Sequence, residues 1–133
     1  MREILFRGKA GAKWVYGDLR HLNDGRVTIQ KDGEIYPYEV IPETVGQYTG
    51  LNDKDGKMIF EGDIVKAIYK SNYVGVPNID FGIGVVEYKG TYYNSASYQI
   101  NIIGEAGNRI FSASLEVEVI GNIHDNPELL KGE

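Results

Sequence analysis

The sequence predicts a small all-β domain, a sandwich or small barrel, on three observations. Short apolar runs recur at strand length, their residues alternate with polar neighbours, and glycines and Asp-Gly pairs punctuate them. The runs fall at 3–7, 13–16, 26–30, 34–38, 58–60, 63–69, 84–88, 98–103 and 117–123. Val27 and Ile29, and later Ile100 and Ile102, show the period of two that sets one strand face inward. Seventeen glycines in 133 residues oppose long helices. Many short strands joined by tight turns favour a barrel or sandwich over a layered α/β fold.

In chain order, MREILFRGKA opens with an apolar stretch broken at once by Arg7 and Lys9. It reads as a first strand, without the long apolar core of a signal peptide or membrane span. Two hairpins are expected, at Asp32-Gly33 between Ile29 and Ile35 and at Asp55-Gly56 between Leu51 and Ile59. Asp-Gly suits the positive φ values of a type I′ turn. Gly62-Asp63 starts the next strand, and Asp63 is expected to accept bonds from nearby amides and to matter more for stability than Asp53. Residues 70–81 lack periodicity and are expected to form a long mobile loop. Gly82 and Gly84 mark a bend or close backbone approach in the strand after it. Asn126-Pro127-Glu128 has the pattern of a helix start, and only Leu129 and Leu130 follow before Lys131-Gly132. One helical turn is expected, its leucines closing an end of the barrel.

Composition narrows the chemistry. Cysteine is absent, which excludes disulfides and thiolate metal sites and fits a reducing cytoplasm. The net charge is −5, with seven basic and seven acidic residues before Gly46 and seven against twelve from it onward. Phosphate neutralisation needs clustered Lys and Arg, and no cluster occurs, so duplex DNA and bulk RNA are disfavoured partners.

Candidate chemical motifs fail on spacing. Asn52-Asp53-Lys54-Asp55-Gly56 resembles a calcium loop, but placing Gly56 sixth puts Leu51 first and Gly62 twelfth, where ligands are required. His21 and His124 each neighbour an aspartate, but proximity in sequence does not make the orienting partner and pocket that a catalytic base needs, and His21 reads as a loop residue. Convergence of the histidines with Asp53, Asp63 and Asp125 would be needed for a hydrolase or metal enzyme. No serine lies in a nucleophile elbow, and Phe81-Gly82-Ile83-Gly84-Val85-Val86-Glu87 lacks the third glycine and the helix of a dinucleotide site. The expectation is no enzyme, no cofactor and no metal. Tyrosine is the one excess, with ten residues. Most suit half-buried strand positions. Tyr73, Tyr92 and Tyr93 fall on the irregular stretch 70–97, and with Lys70 and Lys89 they form the candidate binding surface.

Three blocks, MREILFRGKAGAKWVYGDL, IPETVGQYTGLNDKDGKMIFEGDIVK and EVIGNIHDNPELL, closely resemble the YopX family of phage and prophage proteins, over essentially the whole chain. The middle block is the most specific; Asp55-Gly56 stands where many relatives carry Asn-Gly, which serves the same turn. The resemblance implies a mainly β fold with an SH3-like barrel part, encoded by phages and integrated prophages, with no established enzymatic activity and no catalytic residues to carry over. It implies one domain over 1–133: N-terminal strands at 1–45, an SH3-like barrel part at 46–125 and a short helical turn and tail at 126–133.

The leading expectation is therefore a non-enzymatic binding or assembly module in the cytoplasm of a bacterial host, with a host or phage protein as partner, no membrane, and a homo-oligomer as one compatible assembly. The alternative is a single-stranded nucleic-acid binder that stacks bases on Tyr73, Tyr92 and Tyr93 and holds phosphates with Lys70 and Lys89.

Overall fold

The computed structural model describes residues 4–90, 96–102, 108–110 and 115–131. It is all-β, with two antiparallel sheets, and its contacts group into two compact units, Met1–Gly50 and Leu51–Glu133.

In the first unit, β1 (Phe6–Ala10), β2 (Lys13–His21), β3 (Val27–Gln30), β4 (Tyr38–Val40) and β5 (Gly46–Asn52) pair in the order β4-β3-β2-β1-β5. Val15, Val27, Ile29 and Val40 form its core, with Phe6, Leu19 and Val45 against them. The sheet curls back on β1. Ile41 N–H donates to the Lys9 carbonyl at 2.8 Å, and Lys9 N–H donates to Thr44 Oγ1 at 2.9 Å. Glycine at position 8 eases this approach, since a Cβ there would lie 3.1 Å from Val40 side-chain carbons. Gly17 meets a harder limit, since a Cβ there would lie 2.1 Å from the Gln30 carbonyl oxygen.

In the second unit, β6 (Met58–Phe60) is the hairpin partner of the end of β5. A five-stranded sheet follows, from β7 (Asp63–Tyr69), β8 (Ile79–Gly90), β9 (Ala96–Ile102), β10 (Asn108–Ile110) and β11 (Leu115–Asn122), in the order β10-β9-β8-β7-β11. Ile59, Val65, Ala67, Val86, Ile100 and Val117 form its core. Ile64 and Val65 are neighbours pointing to opposite faces, and both are fully buried, so β7 is covered on both sides. Gly82, at φ +88°, sits where the β7–β8 register shifts between Ala67 and Ile68, and its N–H donates to Asp80 Oδ1 at 2.9 Å. That bulge is the bend expected from the glycine pair.

Several expectations are corrected. Among the described residues no strand pairing closes either sheet, so the barrel over 46–125 is not observed. The strand expected at 34–38 is not formed there and a short one, Tyr38–Val40, starts at its last residue, because Pro37 offers no donor and Ile35 and Tyr36 stand in solvent at 85% and 80% exposure. Asp32-Gly33 does not make a two-residue hairpin. It lies in a turn closed by Glu34 N–H on the Lys31 carbonyl, inside a longer connection, since Ile29 pairs with Tyr38. His21 is the last residue of β2, paired with Val27, rather than a loop residue. The C-terminal helical turn is present as a 3-10 turn, Pro127–Lys131, with Leu129 and Leu130 half-buried.

Candidate functional site

The segment 47–66 is a structural fastener. Its Asp-Gly turn is not type I′. Gly56 N–H donates to the Asp53 carbonyl at 3.0 Å and Asp53 N–H to the Lys57 carbonyl at 2.7 Å, so Lys54 and Asp55 are the central residues and Gly56, at φ +85°, supplies the bulge. Leu22–Asn23–Asp24–Gly25–Arg26 repeats the same bonding, with Gly25 at φ +93°. The Asp24-Gly25 pair was the signal that could have placed that hairpin.

Asp53, 8% exposed, turns its carboxylate inward. Oδ1 accepts the N–H groups of Asp55 and Lys57, each at 2.9 Å, and Oδ2 accepts Val119 N–H at 2.9 Å. Burial pushes its pKa up, but the backbone donors of Val119, Lys57 and Asp55 together outweigh this and hold the carboxyl below the ordinary aspartate range. Lys54 N–H adds a bond to the Val117 carbonyl at 2.9 Å. Asp63, 2% exposed, accepts Phe60 N–H at 2.7 Å, as expected of it. Asp53 joins segments 66 positions apart, while Asp63 is the more deeply buried of the two.

Gly62, at φ +92°, takes both neighbours of this turn: its N–H donates to the Val86 carbonyl and its carbonyl accepts Ile123 N–H, each at 3.0 Å. The C-terminal block has its own network. Asn122 Oδ1 accepts the N–H groups of His124 and Asp125 at 3.0 and 2.9 Å, and Asn126 Oδ1 reaches back to Asn122 N–H at 3.2 Å. A Cβ at position 121 would lie 2.6 Å from that Asn126 oxygen. The segments that carry the family resemblance are thus bonded to one another as structure.

His21 lies in the first unit and His124 in the second. Among the described residues no group of three or more His, Asp or Glu side chains is placed to hold a metal ion. In the first unit a groove of about 540 Å³ mixes Ile4, Leu5 and Ile35 with Asp18, Lys31 and Glu34. Two of its charges are engaged with each other: Lys31 pairs with Glu34 at 3.3 Å, and Tyr38 OH donates to Glu34 at 2.7 Å.

The candidate binding surface is only partly described. Tyr92 and Tyr93 lie outside the described residues, as does the side chain of Lys89. Tyr73 is 74% exposed on the β7–β8 connection. The sequence reading missed its neighbours Val74, Val76 and Ile79, at 105%, 52% and 49%. The loop holds its own shape. Ser71 N–H donates to Asn78 Oδ1 at 2.9 Å, Tyr73 N–H to Ser71 Oγ at 3.2 Å, and Val76 N–H to the Tyr73 carbonyl at 3.2 Å, with Gly75 at φ +86°. Lys70 at its base pairs with Glu116 at 3.6 Å. The arrangement can present a preformed apolar tip, and its residues 71–79 carry no charge.

No curated protein matches the chain in sequence. The family comparison does match, over residues 5–131, with the model described as YopX protein. That span takes in the Asp53 fastener, the Gly62 turn and the Asn122–Asn126 network as well as the exposed loop, and the chain belongs to the YopX family.

Proposed function

We propose that this protein is a non-enzymatic binding module of phage or prophage origin, acting in the cytoplasm of its bacterial host and gripping a protein partner with the β7–β8 loop. The observation that carries this reading is a tip of apolar side chains, Tyr73, Val74 and Val76, held outward by bonds within the loop. Clustered apolar residues in solvent are costly to keep unless something covers them, and a preformed loop gives up little entropy on binding. The phage setting rests on the family's character, and the SH3-like description of 46–125 stays a statement about that family.

Single-stranded nucleic acid fits the loop less well. Residues 71–79 hold no cation, and Lys70 already faces Glu116. Stacking platforms gain affinity from adjacent positive charge, and 71–79 itself supplies none.

Affinity capture from the host, comparing the parent chain with a Tyr73→Ser/Val74→Ser variant of equal melting temperature, tests the proposal. A discrete protein retained by the parent and lost by the variant supports it. Equal capture by both removes the loop from the account. Titration with mixed oligonucleotides at low salt is expected to leave the aromatic fluorescence unquenched.

A further inference from the structure

β11 is an edge strand, eight residues long, with β7 on one side. Edge strands that leave backbone groups open recruit other strands. Here the side away from β7 is occupied by the chain itself. The Val117 carbonyl accepts Lys54 N–H, and Val119 N–H donates to Asp53 Oδ2, both at 2.9 Å. Two residues of a hairpin tip thus take the place of an added strand, one with its backbone and one with a side chain that imitates it.

We infer that the 53–57 hairpin is an intramolecular guard on the β11 edge, and that the occupant it keeps out is β11 of a second copy. An edge of this kind is self-complementary, because an antiparallel partner related by a two-fold axis offers the same N–H and carbonyl groups in return. Val117 and Val119 belong to the core face, so alternation places Glu116 and Glu118 on the other. Two such strands would bring these acids face to face, a second obstacle to pairing. The guard meets the same acids with a cation, since Asp55 first and Glu118 next raise the pKa of Lys54.

The decisive variant is Lys54→Pro, made in the Tyr73→Ser/Val74→Ser background so that association through the loop does not enter. Position 54 is the second residue of the turn, where proline is welcome, and the substitution removes both parts of the guard at this residue, the donor to Val117 and the cation facing Glu118, and places a ring in the donor's way. Sedimentation across a concentration series should show an association step that its parent lacks. Amide exchange at Val119 should be about tenfold faster in dilute solution and slow again as concentration rises. Adding Glu118→Gln should strengthen the association. If Lys54→Pro fails to fold, Asp53→Asn, which turns an amide toward Val119 N–H, is read in the same way. Sedimentation identical to the parent at every concentration, or association that leaves Val119 exchange independent of concentration, overturns the inference.

Discussion

Replacing Asp53 by alanine removes one carboxylate and three backbone partners at once. The bond from Val119 N–H is charge-assisted and half-buried, and its loss costs about 1.5–3 kcal/mol. The amides of Asp55 and Lys57 belong to exposed residues that water can reach, so each adds only about 0.5 kcal/mol. The three bonds share one group and do not sum in full, which leaves about 2–3 kcal/mol. For a chain of this size that is a fall in melting temperature of about 6–15 °C. Asp55→Ala is the matched control. Its side chain is 63% exposed and meets only Lys54 at 3.5 Å, so it should move stability by less than about 0.5 kcal/mol. Urea and thermal unfolding of both variants measure the difference. Equal midpoints for Asp53→Ala and Asp55→Ala would refute the fastener.

The remaining predictions use the same structure. Because Asp53 has a folded pKa below its unfolded value, its contribution is complete above about pH 4 and disappears as pH falls through the lowered folded value. Asp53→Asn should therefore lose less stability than the parent between pH 4 and pH 2, as followed by acid titration of circular dichroism; an unchanged acid limb counts against the assignment. Gly17→Ala drives a Cβ onto the Gln30 carbonyl and should cost about 2–3 kcal/mol, read by fluorescence of Trp14, the single tryptophan, in the first unit. Gly56→Ala meets open space but keeps φ near +85°, so it should cost about 1–2 kcal/mol through backbone strain alone, and Gly56→Asn should recover part of it. Tyr73→Ser/Val74→Ser should leave the melting temperature within about 1 °C of the parent, because neither side chain is buried.

How much of this was legible in the sequence depends on which force set each element. β3, β6 and β7 follow from alternation or continuous burial, and Met58–Phe60 and Asp63–Tyr69 match the expected bounds. β5 was not expected as a strand. Gly46 opens it and Gly50 lies within it at φ +88°, so its place is set by backbone pairing of Phe6 with Gln47 rather than by side-chain pattern. β2 runs on through Asp18, Arg20 and His21 for a similar reason, since β3 pairs with that polar stretch. The wrong turn type at Asp55-Gly56 has a local cause. A two-residue pattern cannot show that Asp53, two positions earlier, supplies the carbonyl and carboxylate that close a longer turn. The candidate surface was half legible: tyrosine excess pointed to Tyr73, but no sequence pattern singled out Val74 and Val76, whose exposure only the fold shows.

Site-specific photocrosslinking at Val74 tests the binding account most directly. A photoreactive amino acid there, and at the exposed Glu39 as control, is activated in host cells that carry the phage genes. The account predicts one discrete protein adduct at position 74 and none at position 39. Adducts of equal pattern at both positions, or at neither, would contradict it.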